Sequence, residues 1–442
     1  MRFLSNFLVA AAASLIGTTI AAPLPQTPVT PGDNTDIIIT ANNTINATRL
    51  MSNEPSVSAG GRLPMSLVNN FAGGAVNAYV TGLDVNNRLV MLQPDGQFFY
   101  PTADSGQEVP QIISGNIKIP LGGKGSTTQI TIPGYISSAR VWFAEGELKF
   151  YTVWSSATNG PSLVTPAAVN PSDPSANVNW GFVELTNNEA WGLYANISYV
   201  DFVGLILGMS MTETTGAKQS ALGLQADAVA SICASLKAQT TKDGQPWGDL
   251  CVTGLNGQPL RILAPSNYVA SNPDAFKTYW NAYIDSVWDH YTSDTLTVNT
   301  QAAAGQVDCK VSNGELTCAG DNRGYAKPTA GDIFGCNSGP FAILGDDNDV
   351  HRAVVPRLCA AFVRTTLLDD GGNVQPGLDS AHYYAADPTH WYSKFIHQNL
   401  VDGRGYAFPY DDVNPGGDVD QSGVVASPQP ANLEIIVGGP VS

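Results

Sequence analysis

The chain has 442 residues with 21 basic and 38 acidic side chains, a formal charge of −17. Such a surface repels nucleic acid and anionic membranes, so neither is expected as a partner. At about 100–200 residues per domain, this length calls for two.

Residues 1–21, MRFLSNFLVAAAASLIGTTIA, carry one basic residue, a short apolar run and then small residues. That pattern is a secretory signal peptide, cut after Ala21 with Thr19 and Ala21 at the small positions. The run is too short for a membrane span. Without it, 20 basic and 38 acidic residues leave −18. A secreted protein is expected, extracellular or associated with a cell wall. Residues 22–60, rich in Pro, Thr, Asn and Ser, read as a flexible leader or linker. Its sequons at Asn42 and Asn46 are expected glycosylation sites.

From 61 to 205, short alternating runs are separated by the turn-like pieces DVNN, PDG and AEGE, which predicts an all-β sandwich or barrel. The strand-like run NLEIIVGG near the C-terminus lets residues from about 400 to 440 complete it. Residues 206–399 read as a mixed α/β part. Helices are expected in 220–239 and in 270–293, the latter with Asn272 as cap, Pro273 at its first position and Phe276, Trp280, Tyr283 and Val287 at helical spacing. A third is expected in 349–368, with Pro356 a candidate kink and Asp349 a candidate cap. All six cysteines lie between Cys233 and Cys359, and an even count in an exported chain reads as three disulfides. Of the 15 possible pairings, nearest neighbours are expected: Cys233–Cys251, Cys309–Cys318 and Cys336–Cys359. No CxxC pair suggests zinc, and neither metal nor cofactor is expected.

One stretch is chemically conspicuous: GFVELTNNEAWGLYANISYVDF, residues 181–202. Its residue types favour strands, yet it holds two carboxylates, Glu184 and Asp201. By alternation Glu184, Thr186 and Asn188 share one face, while Val183 and Leu185 take the other. An acid, a hydroxyl and an amide suit a sugar-binding face, as they also suit a solvent face. Trp180, Trp191 and Tyr194 could supply flat rings for pyranose packing. Asp201 falls in alternation with Leu193, Ile197 and Tyr199, so it is re-aimed by a bulge or buried with a partner. For it to oppose Glu184 across a hairpin, the turn must centre near 192.5, at Gly192; a turn at Asn187-Asn188 would part the acids. A metal-free carboxylate pair is the equipment of glycoside hydrolysis, one acid protonating the leaving oxygen and the other activating water or attacking the sugar. A third sequon, at Asn196, lies inside this candidate site.

FVELTNN followed by GLYANISYVDFVGLILGMSM resembles the core motif of glycoside hydrolase family 64, the thaumatin-like β-1,3-glucanases. The similarity extends to NAYVTGLDVNNRLVMLQPDGQFFYP, ITIPGYISSARVWFAEGELKFY and HWYSKFIHQNLVDGRGYAFPYDDVNPGG, most of residues 62–440. The resemblance implies an α+β, β-rich molecule: a thaumatin-like β-barrel or sandwich domain, a mixed α/β domain with the disulfides, and a wide groove between them. It implies endo-hydrolysis of β-1,3-glucan to short laminari-oligosaccharides, characteristically the pentasaccharide, with inversion. Glu184 matches the general acid and Asp201 the general base. Thr186, Asn188 and Trp191 match glucan contacts. Asp402, Asp411 and Asp412 line the groove or serve structural hydrogen bonds. The expected partner is β-1,3-glucan, taken by a monomer. The opposing readings are a non-catalytic glucan-binding protein on the same fold and a structural wall protein.

Other features read as structural. DVDQSG at 418–423 lacks the Glu that closes a calcium loop. Glu145 and Glu147 read as solvent charges at a hairpin turn. His390 and His397 form no HExxH pattern.

Overall fold

The computed structural model describes residues 59–416 and 420–440. The expected signal peptide, leader and glycosylation sites at Asn42 and Asn46 lie outside them.

The strands that build the site belong to two sheets. In chain order they are β1 (Leu63–Asn69), β2 (Val76–Leu83), β3 (Leu89–Leu92), β4 (Phe98–Phe99), β5 (Thr127–Ile132), β6 (Ile136–Glu145), β7 (Asn179–Asn188), β8 (Gly192–Ile197), β9 (Leu207–Glu213), β10 (Lys218–Ala221), β11 (Val424–Ser427) and β12 (Pro430–Val437). One sheet runs β10-β9-β12-β1-β5; the other runs β11-β8-β7-β6-β2-β3-β4, with Ile119–Pro120 added on β2. In β1 and β12, alternate residues Leu63, Met65, Leu67 and Leu433, Ile435, Val437 are fully buried. The two strands pair in parallel, which places residues 430–437 beside β1 in the smaller sheet. Among the described residues both sheets have free ends, so of the two expected forms, sandwich or barrel, the fold is an open two-sheet sandwich. At one end β4 is only two residues long, too short an edge to continue the ladder.

The larger sheet is apolar on both faces. Val141, Phe143, Val183, Leu185, Ala195 and Ile197 point into the sandwich core. Tyr79, Trp142, Trp180 and Phe182 form a second, aromatic cluster on the other face. The site rises from this second face.

Residues 228–399 hold α1 (Ala228–Asp243), α2 (Asn281–Ser293), α3 (Asp349–Arg364) and α4 (Trp391–Asn399), with short strands between. One apolar cluster runs unbroken from Leu63 through Trp247 to Phe362, so sandwich and helices share a core. All three expected disulfides form. Some helix boundaries differ from expectation. Asn272 ends a short helix instead of starting a long one, and α2 begins only at Asn281 because Phe276 adopts φ 56°, outside helical space. Asn348, one residue before Asp349, caps α3 by accepting from the His351 N–H, and the helix continues through Pro356.

Candidate active site

Strands β7 and β8 form a hairpin in register Asn188↔Gly192, so its turn is residues 189–191 and its centre is at 190. That is two to three residues short of the 192.5 needed to face the two acids. Gly192 helps set this register. It has φ +79°, and an added Cβ would stand 2.3 Å from the Ser427 carbonyl on β11, so only glycine fits. Glu184 therefore opposes Asn196 on β8, and Arg140 on β6 at its other side. The rung Arg140–Glu184–Asn196 crosses three strands on the aromatic face.

These side chains engage one another. Arg140 Nε and Nη2 donate to Oε1 of Glu184 at 3.1 and 2.9 Å. Asn196 Nδ2 donates to Oε2 at 3.2 Å. The guanidinium lies over the Phe182 ring, 4.2 Å from its centroid, and close to Trp142.

Asp201 arrives by another route. After Ile197 the chain leaves the ladder: Tyr199 N–H donates to the Tyr406 carbonyl, and Tyr392 donates its hydroxyl to the Tyr199 carbonyl. Asp201's own carbonyl accepts from the Ala264 N–H and from the Asn267 amide at 2.9 Å. Held by these four contacts, the bend carries the carboxylate over the sheet, with Oδ2 3.8 Å from Arg140 Nη2. One guanidinium nitrogen thus stands 2.9 Å from Glu184 Oε1 and 3.8 Å from Asp201 Oδ2, so these oxygens are at most about 6.7 Å apart, the sum of the two. The side chains of Arg140, Glu184 and Asp201 are 14%, 19% and 49% exposed, opening the pair to solvent from the Asp201 side. Although half of Asp201 meets water, protein atoms around it raise its pKa above the usual carboxylate value. The Glu184 charge adds to that rise and Arg140 opposes it.

The remaining candidates divide. Thr186 is buried at a bulge, its hydroxyl accepting from the Ser138 N–H, and Asn188 accepts from the Trp191 N–H in the turn. Trp191 is 50% exposed at the hairpin tip, roughly 13 Å along the strand from Glu184 at about 3.3 Å per residue. Trp180, only 3% exposed within the aromatic cluster, and buried Tyr194, whose hydroxyl meets that of Tyr406, offer no ring to a sugar. Asp402 accepts from the backbone N–H groups of Leu222 and Arg404. Asp411 is buried against Arg364, His397 and the Ala407 N–H. Burial works upward on Asp411, but His397 and Arg364 prevail and hold it below the usual range. Asp412 is 1% exposed with neither oxygen hydrogen-bonded. Burial, then the nearby Asp420 charge, push it up to about 8 against the pull of Arg357.

Arg140 was invisible as a site residue in the sequence, and Asn196 entered only as a sequon inside the candidate site. The available signal was a lone guanidinium in the strand-like run ISSARVWFAE and an amide two positions before the bend. Among the described residues, no group of three or more His, Cys, Asp or Glu is placed to hold a metal ion. Glu145 and Glu147 do act as turn charges, bonded to the Gly74 N–H and to Lys118 and Lys149. Asp420 accepts from Ser422 in a polar turn.

A carboxylate pair on a β-sheet, open to solvent, is one arrangement able to carry glycoside hydrolysis. The chain belongs to glycoside hydrolase family 64, the β-1,3-glucanases, whose sequence profile matches residues 61–437. A glucan endo-1,3-β-glucosidase from Cellulosimicrobium cellulans is 25% identical over 388 residues, and one from an Arthrobacter strain is 25% identical over the same length. Each match covers 86% of this chain and 66% of the relative, so the chain spans just under two thirds of those proteins. The crystal structure of a laminaripentaose-producing β-1,3-glucanase in complex with laminaritetraose is similar at TM-score 0.74 and 25% identity, over 86% of this chain and 99% of that one. A family 64 domain from Clostridium beijerinckii shares the fold at TM-score 0.66 and 20% identity, over 86% and 98% of the two chains.

Proposed function

We propose that the protein is a secreted endo-β-1,3-glucanase that cleaves β-1,3-glucan to short laminari-oligosaccharides by single displacement with inversion. Glu184 gives its proton to the leaving glycosidic oxygen as the bond to C1 breaks. Asp201 takes a proton from the water whose oxygen bonds to C1 on the opposite face. The observation that carries this reading is the convergence of two carboxylates from separate elements on one guanidinium, within about 6.7 Å and open to solvent. An upper bound of about 6.7 Å admits both the about 5–5.5 Å of retaining enzymes and the lower edge of the about 6.5–9.5 Å of inverting ones, so inversion rests on the family resemblance and not on the spacing. Thr186, Asn188 and Trp191 extend the glucan path along the hairpin, and the groove between sandwich and helices receives the chain.

A specific observation favours a second assignment with the roles exchanged. Both Glu184 oxygens accept hydrogen bonds, the pattern of a proton acceptor, while protein atoms around Asp201 raise its pKa above the usual carboxylate value, the direction a proton donor needs.

The test is product analysis on linear β-1,3-glucan with wild type, Glu184→Gln and Asp201→Asn, together with hydrolysis of a laminari-oligosaccharyl fluoride. Wild type should release oligosaccharides with inverted anomers, and each variant should lose about 10²–10⁴ in kcat on glucan. The acid variant keeps activity on the fluoride, which needs little protonation, so the surviving variant identifies the acid. Glucan binding without any product from wild type would leave a lectin-like module.

A further inference from the structure

The fold places a positive charge where the acid–base reading does not ask for one. An arginine bonded to a general acid holds that acid ionised, which on its own opposes catalysis. Its geometry gives it another use. Arg140 directs two N–H groups at a single oxygen, Oε1 of Glu184, and turns the same Nη2 toward Asp201. Oε1, facing two charged donors, cannot carry a proton. Oε2 receives only the Asn196 amide at 3.2 Å and is the oxygen free to bind and release one.

We propose that Arg140 is the positioning residue of the pair: it fixes which oxygen of Glu184 carries the transferable proton and supplies the charge that lets one proton serve two adjacent acids. This rests on the acid–base reading above and holds for either assignment of roles. With one proton on the pair, two carboxyl groups and one guanidinium sum to zero charge. Without the guanidinium the same state is an uncompensated anion next to a neutral acid. The aromatic bed under Arg140 holds the fork in place: Phe182 lies beneath it, and Trp142 is itself tethered by its indole N–H to the Thr81 hydroxyl. The titratable groups facing the trio from packed elements are Tyr194 of β8, near Glu184, and Tyr392 of α4, near Asp201. Burial raises both phenols, so they stay neutral and leave Arg140 as the compensating charge.

The sign follows directly. A nearby cation favours the charged forms of an acid pair, so removing it favours their protonated forms and moves the pH profile upward. The experiment measures kcat and KM on linear β-1,3-glucan from pH 3 to 9 for wild type, Arg140→Met, Arg140→Gln and Arg140→Lys, with thermal melts as folding controls. Arg140→Met and Arg140→Gln should lose about a hundredfold or more in kcat with KM within about threefold, and both limbs of the pH profile should move up by about one unit or more. Arg140→Lys, which keeps the charge and loses the fork, should restore the profile's position with kcat still reduced. A residue that only packs on Phe182 would give no alkaline movement. An unmoved profile in whichever uncharged variant folds overturns the proposal. Wild type inactive at every pH overturns instead the reading on which it rests.

Discussion

Asp412 is a carboxyl group sealed in the interior without a hydrogen-bond partner among the described residues, and replacing it by asparagine should make the protein more stable in a pH-dependent way. Burial raises its pKa from 3.8 to about 8, Asp420 adding to the rise. Between these values the folded protein binds a proton that the unfolded chain has released. Stability therefore falls as pH rises through that window, by about 1.4 kcal/mol per unit. At pH 7 the span from 3.8 corresponds to a ceiling of about 4 kcal/mol. Rearrangement around the buried group and entry of water reduce this, so a gain of about 2–4 kcal/mol is expected for Asp412→Asn at pH 7. Below about pH 4, where both states hold the proton, the isosteric amide should change little. Urea unfolding of wild type and variant at half-unit steps from pH 4 to 8.5 gives the difference curve directly. A difference that is flat with pH, or a variant less stable than wild type at pH 7.5, would refute the reasoning.

Three further expectations follow from neighbouring features. Asp411→Ala should cost about 3–5 kcal/mol by thermal unfolding, because it strands the buried Arg364 charge and removes the partner of His397. Trp191→Ala should alter stability by less than about 0.5 kcal/mol, the ring being half exposed, yet raise KM severalfold on polymeric glucan and leave short oligosaccharides unaffected. On loop entropy alone, replacing Cys336 and Cys359 with alanine should cost about 3.4 kcal/mol and replacing Cys309 and Cys318 about 2.6 kcal/mol, from separations of 23 and 9 residues; calorimetry would rank them.

How much of this was legible beforehand depends on how local each feature is. Alternation put Glu184 on one face and Val183 and Leu185 on the other, and the sheet agrees, because side-chain period is a property of the strand itself. The turn was not legible. Asn187 and Asn188 look like turn residues, but Asn187 is fully buried inside β7, its amide held by the Gly61 carbonyl 126 positions away. The position of Asp201 was equally remote from local rules, since it is set by Tyr392, Tyr406, Ala264 and Asn267. Arg140 escaped notice because a single cation in an apolar strand gains meaning only from its cross-strand partners. Trp180 erred in the opposite direction: a tryptophan beside an acid suggested a sugar platform, and the fold spends it on packing. The disulfides were readable because each joins consecutive cysteines along the chain, 18, 9 and 23 positions apart.

The rung that holds Glu184 has a bearing on how the protein can be made. Asn196 begins the sequon Asn196–Ile197–Ser198, yet the residue is only 7% exposed and its amide donates to Glu184. In a secretory pathway that attaches glycans to nascent chains, this asparagine is open to the transferase only until β8 pairs with β7. A glycan added then would replace one of the two Nδ2 hydrogens of the amide bonded to Glu184 and leave a bulk that the strand cannot accommodate beside β7 and β11. A three-residue hairpin turn closes in about 1–10 μs, far faster than synthesis adds residues, and so shelters the site once both strands have emerged. Heterologous yield should therefore depend on whether the host modifies this residue. Bacterial expression, or a Ser198→Ala chain in yeast, separates loss by misplaced sugar from loss by misfolding.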